Sequence, residues 1–155
     1  MKLPFEIKQH GQAIVFIGIQ ASGKSTFFRE NLLQHGYVHI NLDTLHTRHK
    51  ESLLLEESLG MNSSFVVDNT NPEIEDRRRY IPKAKERGYE VIGIFFQSIV
   101  RDCIARNETR ENAVPLQAIP RTQNKLQMPS FDEGFDALYF VRIADSGFEI
   151  SEWRD

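Results

Sequence analysis

A single cysteine, Cys103, occurs among the 155 residues, so no internal disulfide can brace the chain and an apolar core must hold the fold. One thiol without a secretory leader is the pattern of a reducing compartment, and the chain is expected to be cytoplasmic. Met1 to Gln9 (MKLPFEIKQ) contains no apolar h-region, and no run approaches the roughly 18 apolar residues of a membrane span. No membrane partner is therefore expected. The five histidines show no metal-ligand spacing with the lone cysteine, which excludes a zinc site. A strong charge of either sign is missing too: the net charge is −3, and the acids are concentrated near the end. From Met128 to Asp155 seven acids face only Arg142 and Arg154, so the first 127 residues carry +2. The basic clusters there, HTRHK (His46 to Lys50) and RRR (Arg77 to Arg79), permit a polyanionic ligand. The length suits one domain over residues 1–155, without repeats, linkers or low-complexity tracts.

Against those absences stands one dense motif. Gly18 to Ser25 reads GIQASGKS, a full match to the phosphate-loop pattern, between an apolar run (Ala13 to Ile17) and a helix-like stretch. Glycines let backbone N–H groups turn toward phosphate oxygens, Lys24 supplies a point charge, and Ser25 offers a hydroxyl to Mg²⁺. ATP with Mg²⁺ is the expected ligand, on Gly18, Ala21, Ser22, Gly23, Lys24, Ser25 and Thr26.

Four further apolar runs follow: Tyr37 to Ile40, Phe65 to Val67, Val91 to Phe96 and Ala137 to Ile143. Short buried runs alternating with amphipathic segments predict an α/β, three-layer fold. Its five-stranded, mostly parallel sheet is flanked by helices. Helices are expected from Lys24 to before Gly36, and from Thr44 to Ser58. A third should start at Asn71 as N-cap with Pro72 and Glu73 in its first turn, closing at Gly88; a fourth should be capped by Ser98 and run toward Asn107. Glu108 to Ala113 reads as a mobile polar loop within a helical lid over about residues 101–127.

Ligands in such sheets gather at the carboxyl ends of strands. Asp43, in NLDT after the second run, can accept the proton of an attacking hydroxyl or can cap the next helix; spacing alone leaves both open. Asp68, ending VVD, follows an apolar strand as a Walker-B carboxylate does and can help Ser25 hold Mg²⁺ through water, or can serve only to form the turn. Arg106 and Arg110, four apart, can reach the nucleotide and stabilise a transferred phosphoryl group. Cys103 reads as core.

The strings GIQASGKSTF, GYVHINLDTL, VVDNTNPEIEDRRRYI, ARNETRENAVP and PSFDEGFDAL, in unbroken order over about residues 13–141, together resemble the kinase domain of the polynucleotide kinase-phosphatases. That resemblance implies ATP-dependent phosphorylation of a 5′-hydroxyl on DNA or RNA, with Asp43 as general base. It also implies acceptor contacts from His46, Arg48, Asn69 and Arg77, and a separate phosphatase or ligase as possible partner. Leu42 and His46 stand where this family and its phage member carry arginines, so Arg48 or His49 must substitute. The alternatives are a small-molecule kinase of the same fold, acting on a sugar, nucleoside or antibiotic hydroxyl, and a nucleotide-binding regulatory module without phosphotransfer.

Overall fold

The computed structural model describes residues 1–154. β1 (Gln12–Ile17) is buried at every position because it is the centre of the sheet and is covered on both faces. Its alternation sends Ala13, Val15 and Ile17 into one apolar cluster and Ile14 and Phe16 into the other. β3 (Phe65–Val67) and β4 (Glu90–Phe96) pair with β1 in parallel on its two sides. β2 (Val38–Ile40) extends the sheet beyond β3, and β5 (Ala137–Ala144) beyond β4, both parallel. These are the five strands the apolar runs predict, in the three-layer phosphate-loop arrangement.

A sixth strand, β6 (Gly147–Glu152), adds to β5 in antiparallel register, giving the order β2-β3-β1-β4-β5-β6. Its run GFEISE is an exposed edge with only Phe148 and Ile150 packed inward, too short an apolar signal to stand out in the sequence.

α1 (Lys24–Asn31) covers one face through Phe27 and Phe28. On the other face lie Leu55 and Leu59 of α3 (Arg48–Gly60), and Ile81 and Ala84 of α5 (Ile81–Glu86). The helix expected over residues 44–58 is two helices. Asn41 caps the single turn α2 (Leu42–Leu45) by accepting from Thr44 N at 3.1 Å, and Thr47 caps α3 by accepting from Lys50 N at 3.1 Å. Between them His46 adopts φ 72°, which breaks the run.

Two expected caps are also corrected. Asn71 does not cap the helix after β3: it takes φ 44° and donates its side-chain amide to Phe16 O at 2.9 Å, tying its turn to β1. The helix begins instead as α4 (Ile74–Arg77), with Glu73 and Asp76 in a reciprocal capping box, and it is interrupted before α5. Ser98 spends its hydroxyl on Phe96 O and accepts from Ile19 N, so α6 (Val100–Asn107) starts behind Ile99 without a side-chain cap.

The lid consists of α6, a connecting loop and α7 (Ala118–Lys125), joined to the phosphate loop by a third apolar cluster of Ile19, Cys103 and Ile119. Cys103 is core, as its helical periodicity indicates. The polar loop is clasped at its base, where the buried Asn107 amide donates to Val114 O at 2.8 Å and accepts from Val114 N at 3.0 Å.

Candidate active site

The carboxyl ends of β1, β2 and β3 open into one cleft of about 1160 Å³, closed on the far side by the lid. The phosphate loop forms its floor. A Cβ on Gly18 would meet Ser22 Oγ at 2.8 Å and Phe96 Cβ at 3.0 Å, so only glycine allows this approach. Gly23 takes φ 102° and Ala21 φ 63°, left-handed conformations that turn successive peptide units. Arg106 Nη1 donates to Ala21 O at 3.0 Å and so holds that turn from the lid.

Lys24 is buried, with Nζ donating to Gly18 O at 2.9 Å and Ile19 O at 2.8 Å. Burial pushes its pKa down to about 8, against the opposing pull of Asp68; Arg110 adds to the lowering. A cation so placed gains from any anion that enters the cleft.

Ser25 Oγ donates to Asp68 Oδ2 at 2.8 Å, which joins the end of β3 to the start of α1. The same carboxylate oxygen meets His39 Nε2 at 2.8 Å, and the His39 ring stacks on Phe28 at 4.0 Å. Sequence reasoning tested the histidines for metal spacing only and missed this contact. Its signal was a lone histidine within the second apolar run, Tyr37 to Ile40, two residues before Asn41; the structure puts it in the middle of β2, lining the cleft.

Asp43 is exposed in the first turn of α2 and lines the cleft. Asn41, not Asp43, caps the helix, and the Asp43 carboxylate forms no hydrogen bond among the described residues. Arg110 lies in the turn after α6, with its Nη1 buried and unpartnered among the described residues. Arg106 and Arg110 do not share a continuous helix, because α6 ends at Asn107, yet both face the cleft. Near Gly23 the wall is apolar, formed by Ile143 and Phe148 from the β5–β6 hairpin.

The expected acceptor contacts divide. Arg48 and Asn69 line the cleft. His46 is exposed at the α2 C-cap and does not line it. Arg77 is a correction: it has no exposed surface and is committed inside the protein. Its Nη1 bonds both carboxylate oxygens of Glu133 at 3.1 and 2.9 Å, Nε bonds Asn71 O at 3.1 Å, and Nη2 bonds Pro72 O and Gln127 O. Burial lowers its pKa even beside Glu133. An RRR run in a polar segment reads as solvated surface, and nothing in the local pattern marks its first member as buried.

Comparison with known proteins places this geometry. A family model described as an AAA domain, AAA_33, matches residues 14–129. The bifunctional polynucleotide phosphatase/kinase of Schizosaccharomyces pombe is 32% identical over 136 residues, covering 84% of this chain; the chain spans about a third of that relative, 33%. Among solved structures, a gluconokinase from Sinorhizobium meliloti superposes with a TM-score of 0.61 at 18% identity, covering 89% of this chain and 86% of its own. Kti12 of Chaetomium thermophilum in complex with ADP-AlF3 gives 0.65 at 17% identity, covering 86% and 92%. Those two likenesses concern the fold, while the family model rests on the sequence and covers well over half the chain. With its phosphate loop and parallel sheet, the chain belongs to the AAA_33 family of AAA domains.

Proposed function

We propose that this protein is an ATP-dependent phosphotransferase that moves the γ-phosphate to the 5′-hydroxyl of a polynucleotide. The observation that carries the reading is an exposed carboxylate without a partner, Asp43, facing the same cleft as the phosphate-loop lysine. Its charge is felt at Lys24. Asp43 takes the hydroxyl proton as the oxygen attacks the γ-phosphorus and ADP leaves. Lys24 and the unpartnered nitrogen of Arg110 receive the phosphoryl oxygens, and Arg106 steadies the loop beneath them. The apolar wall of Ile143 and Phe148 suits the nucleotide base.

Mg²⁺ fits at Ser25 and Asp68: both are hard oxygen donors, and an ion that retains waters and phosphate oxygens needs few protein ligands. There it would neutralise charge on the phosphates. Similarity to a relative named polynucleotide phosphatase/kinase supports the choice of acceptor, and a phosphatase or ligase working on the same nucleic-acid end is the partner this reading implies.

Six acids balance six cations along the cleft wall, which favours a second reading, a small-molecule kinase, since a long polyanion prefers a cationic channel. The test is transfer of radiolabelled phosphate from ATP to a 5′-hydroxyl oligonucleotide against a panel of small alcohols. Oligonucleotide transfer that falls about 10² to 10⁴-fold in Asp43→Asn, with ATP affinity kept, is the expected result. Equal turnover of wild type and Asp43→Asn would reject the base. Transfer confined to small alcohols would reject the polynucleotide.

A further inference from the structure

α2 is a single turn of four residues, too short to hold itself in water, and it carries Asp43. Its first N–H, on Leu42, has no helical partner and donates to Asn69 Oδ1 at 2.9 Å. Asn69 can offer that oxygen only while its amide nitrogen faces the other way, and there it donates to Glu51 Oε2 at 2.8 Å and to Tyr80 Oη at 3.2 Å. A flipped amide would set its oxygen against the Glu51 carboxylate and its NH₂ against the Leu42 N–H.

Glu51 is 3% exposed in the first turn of α3 and accepts three donors. Besides Asn69 these are Tyr80 Oη, at 3.0 Å on Oε2, and Arg48 Nη1, at 2.8 Å on Oε1. Arg48 Nη1 also reaches Tyr80 Oη at 3.2 Å, and the remainder of that half-exposed guanidinium faces the cleft. One buried carboxylate thus holds both the turn that presents Asp43 and the arginine beside it. The Glu51 carboxylate is not needed to explain the α3 packing, which Leu55 and Leu59 supply; the Tyr80 ring belongs to that apolar cluster, and only its hydroxyl is given to the network.

We propose that Glu51 is a positioning residue for phosphoryl transfer: through Asn69 and Tyr80 it fixes α2 and Asp43, and through its other oxygen it aims Arg48 at the acceptor. Asn69 accordingly acts on the turn and not on the substrate. This rests on Asp43 as the base, and the test separates the two.

Glu51→Gln leaves one accepting oxygen where the carboxylate has two, so its NH₂ falls either against the Asn69 amide or against Arg48 Nη1, and one arm of the network is lost. Asn69→Asp places a carboxylate oxygen against Glu51. The paired exchange Glu51→Gln/Asn69→Asp reverses donor and acceptor across the contact and permits every bond again, including those of Leu42, Tyr80 and Arg48. Each single variant should lower kcat about 10 to 10²-fold and raise the acceptor KM, leaving the Kd for ATP within about twofold, because the phosphate loop makes none of these contacts. The paired exchange should recover most of the loss.

Amide exchange at Leu42, followed by NMR without substrate, should quicken at least about tenfold in Asn69→Asp, whose carboxylate is pushed away by Glu51, and return in the pair, as expected for an N–H whose acceptor is dislodged and then restored. Tyr80→Phe, which keeps the buried ring, is the variant to read if a single exchange does not fold. It should also quicken Leu42 exchange and raise the acceptor KM. Wild-type kinetics in the folded single variants with wild-type exchange in Asn69→Asp, or no recovery in a folded pair, would overturn the proposal. Full transfer by Asp43→Asn would instead reject the base and leave the exchange result standing.

Discussion

Replacing Arg77 with methionine separates a buried tie from a substrate contact. Methionine keeps much of the arginine length and removes the charge and all the donors. The loss strands the Glu133 carboxylate, whose side chain is 6% exposed and which keeps only the Ser130 N–H at 3.0 Å. It also takes a donor from the carbonyls of Asn71, Pro72 and Gln127. Breaking a buried ion pair from one side costs about 3 to 5 kcal/mol. For a chain of this length that is a fall in Tm of roughly 6 to 20 °C. Calorimetric unfolding at neutral pH reads the loss directly. Removing both charges in Arg77→Met/Glu133→Leu should recover the electrostatic share and leave the carbonyl share, so its Tm should fall between the two. Because the tie joins the β3–α4 turn to the chain after α7, the lid should loosen on the same variant. An unchanged Tm with an acceptor KM raised tenfold or more would refute the reasoning and restore Arg77 to the substrate.

Arg110→Ala should not lower Tm and should tend to raise it, since it removes a buried nitrogen without a partner, yet reduce turnover about 10³-fold; equal turnover would remove it from the reaction. Ser25→Ala should raise the Mg²⁺ concentration for half-maximal rate about tenfold, a loss of the size of one charge-assisted contact, and an unaltered Mg²⁺ titration would contradict the site at Ser25 and Asp68. Burial, followed by the Glu51 charge, pushes the Tyr80 phenol from 10 up to about 12. A folded pKa above the unfolded one means stability that is whole below pH 10 and is lost as pH climbs toward 12. Between pH 10 and 11.5 the wild type should therefore lose up to about 1.4 kcal/mol per pH unit more than Tyr80→Phe in urea unfolding, and parallel curves would refute this.

The parallel sheet was legible in the sequence because its strands are buried on both faces, which writes each as an unbroken apolar run such as Ala13 to Ile17. β6 escaped because an edge strand needs only one packed face, and its glutamates mask the alternation. The phosphate loop was legible because phosphate geometry demands particular residue types at fixed spacing. Helix ends were misread wherever a capping side chain had a tertiary partner. Asn71 and Ser98 are good caps by residue type, but Phe16 O and Ile19 N claimed them first. Such competition depends on what lies across the fold, which local sequence does not record.

The same accounting reorders the polar residues of the cleft. Among the residues expected to meet the acceptor, a side chain whose donors and acceptors are all satisfied by protein must break bonds to reach a substrate, so a complete set of internal bonds there argues for architecture. Arg77 and Asn69 meet that condition. Asp43 and the buried Arg110 nitrogen fail it, and each carries a charge or donor left unsatisfied in the cleft. Arg48 is divided, with one nitrogen bound to Glu51 and Tyr80 and the remainder facing the cleft. A buried donor without a partner, such as Arg110 Nη1, costs stability, whereas Asp43 and the free part of Arg48 are met by solvent; all three keep bonding capacity that a ligand could use. By that criterion the proposed acceptor would be met on the α2–α3 side by Asp43 and Arg48, while the RRR run that looked most cationic in sequence has its first arginine locked inside the fold.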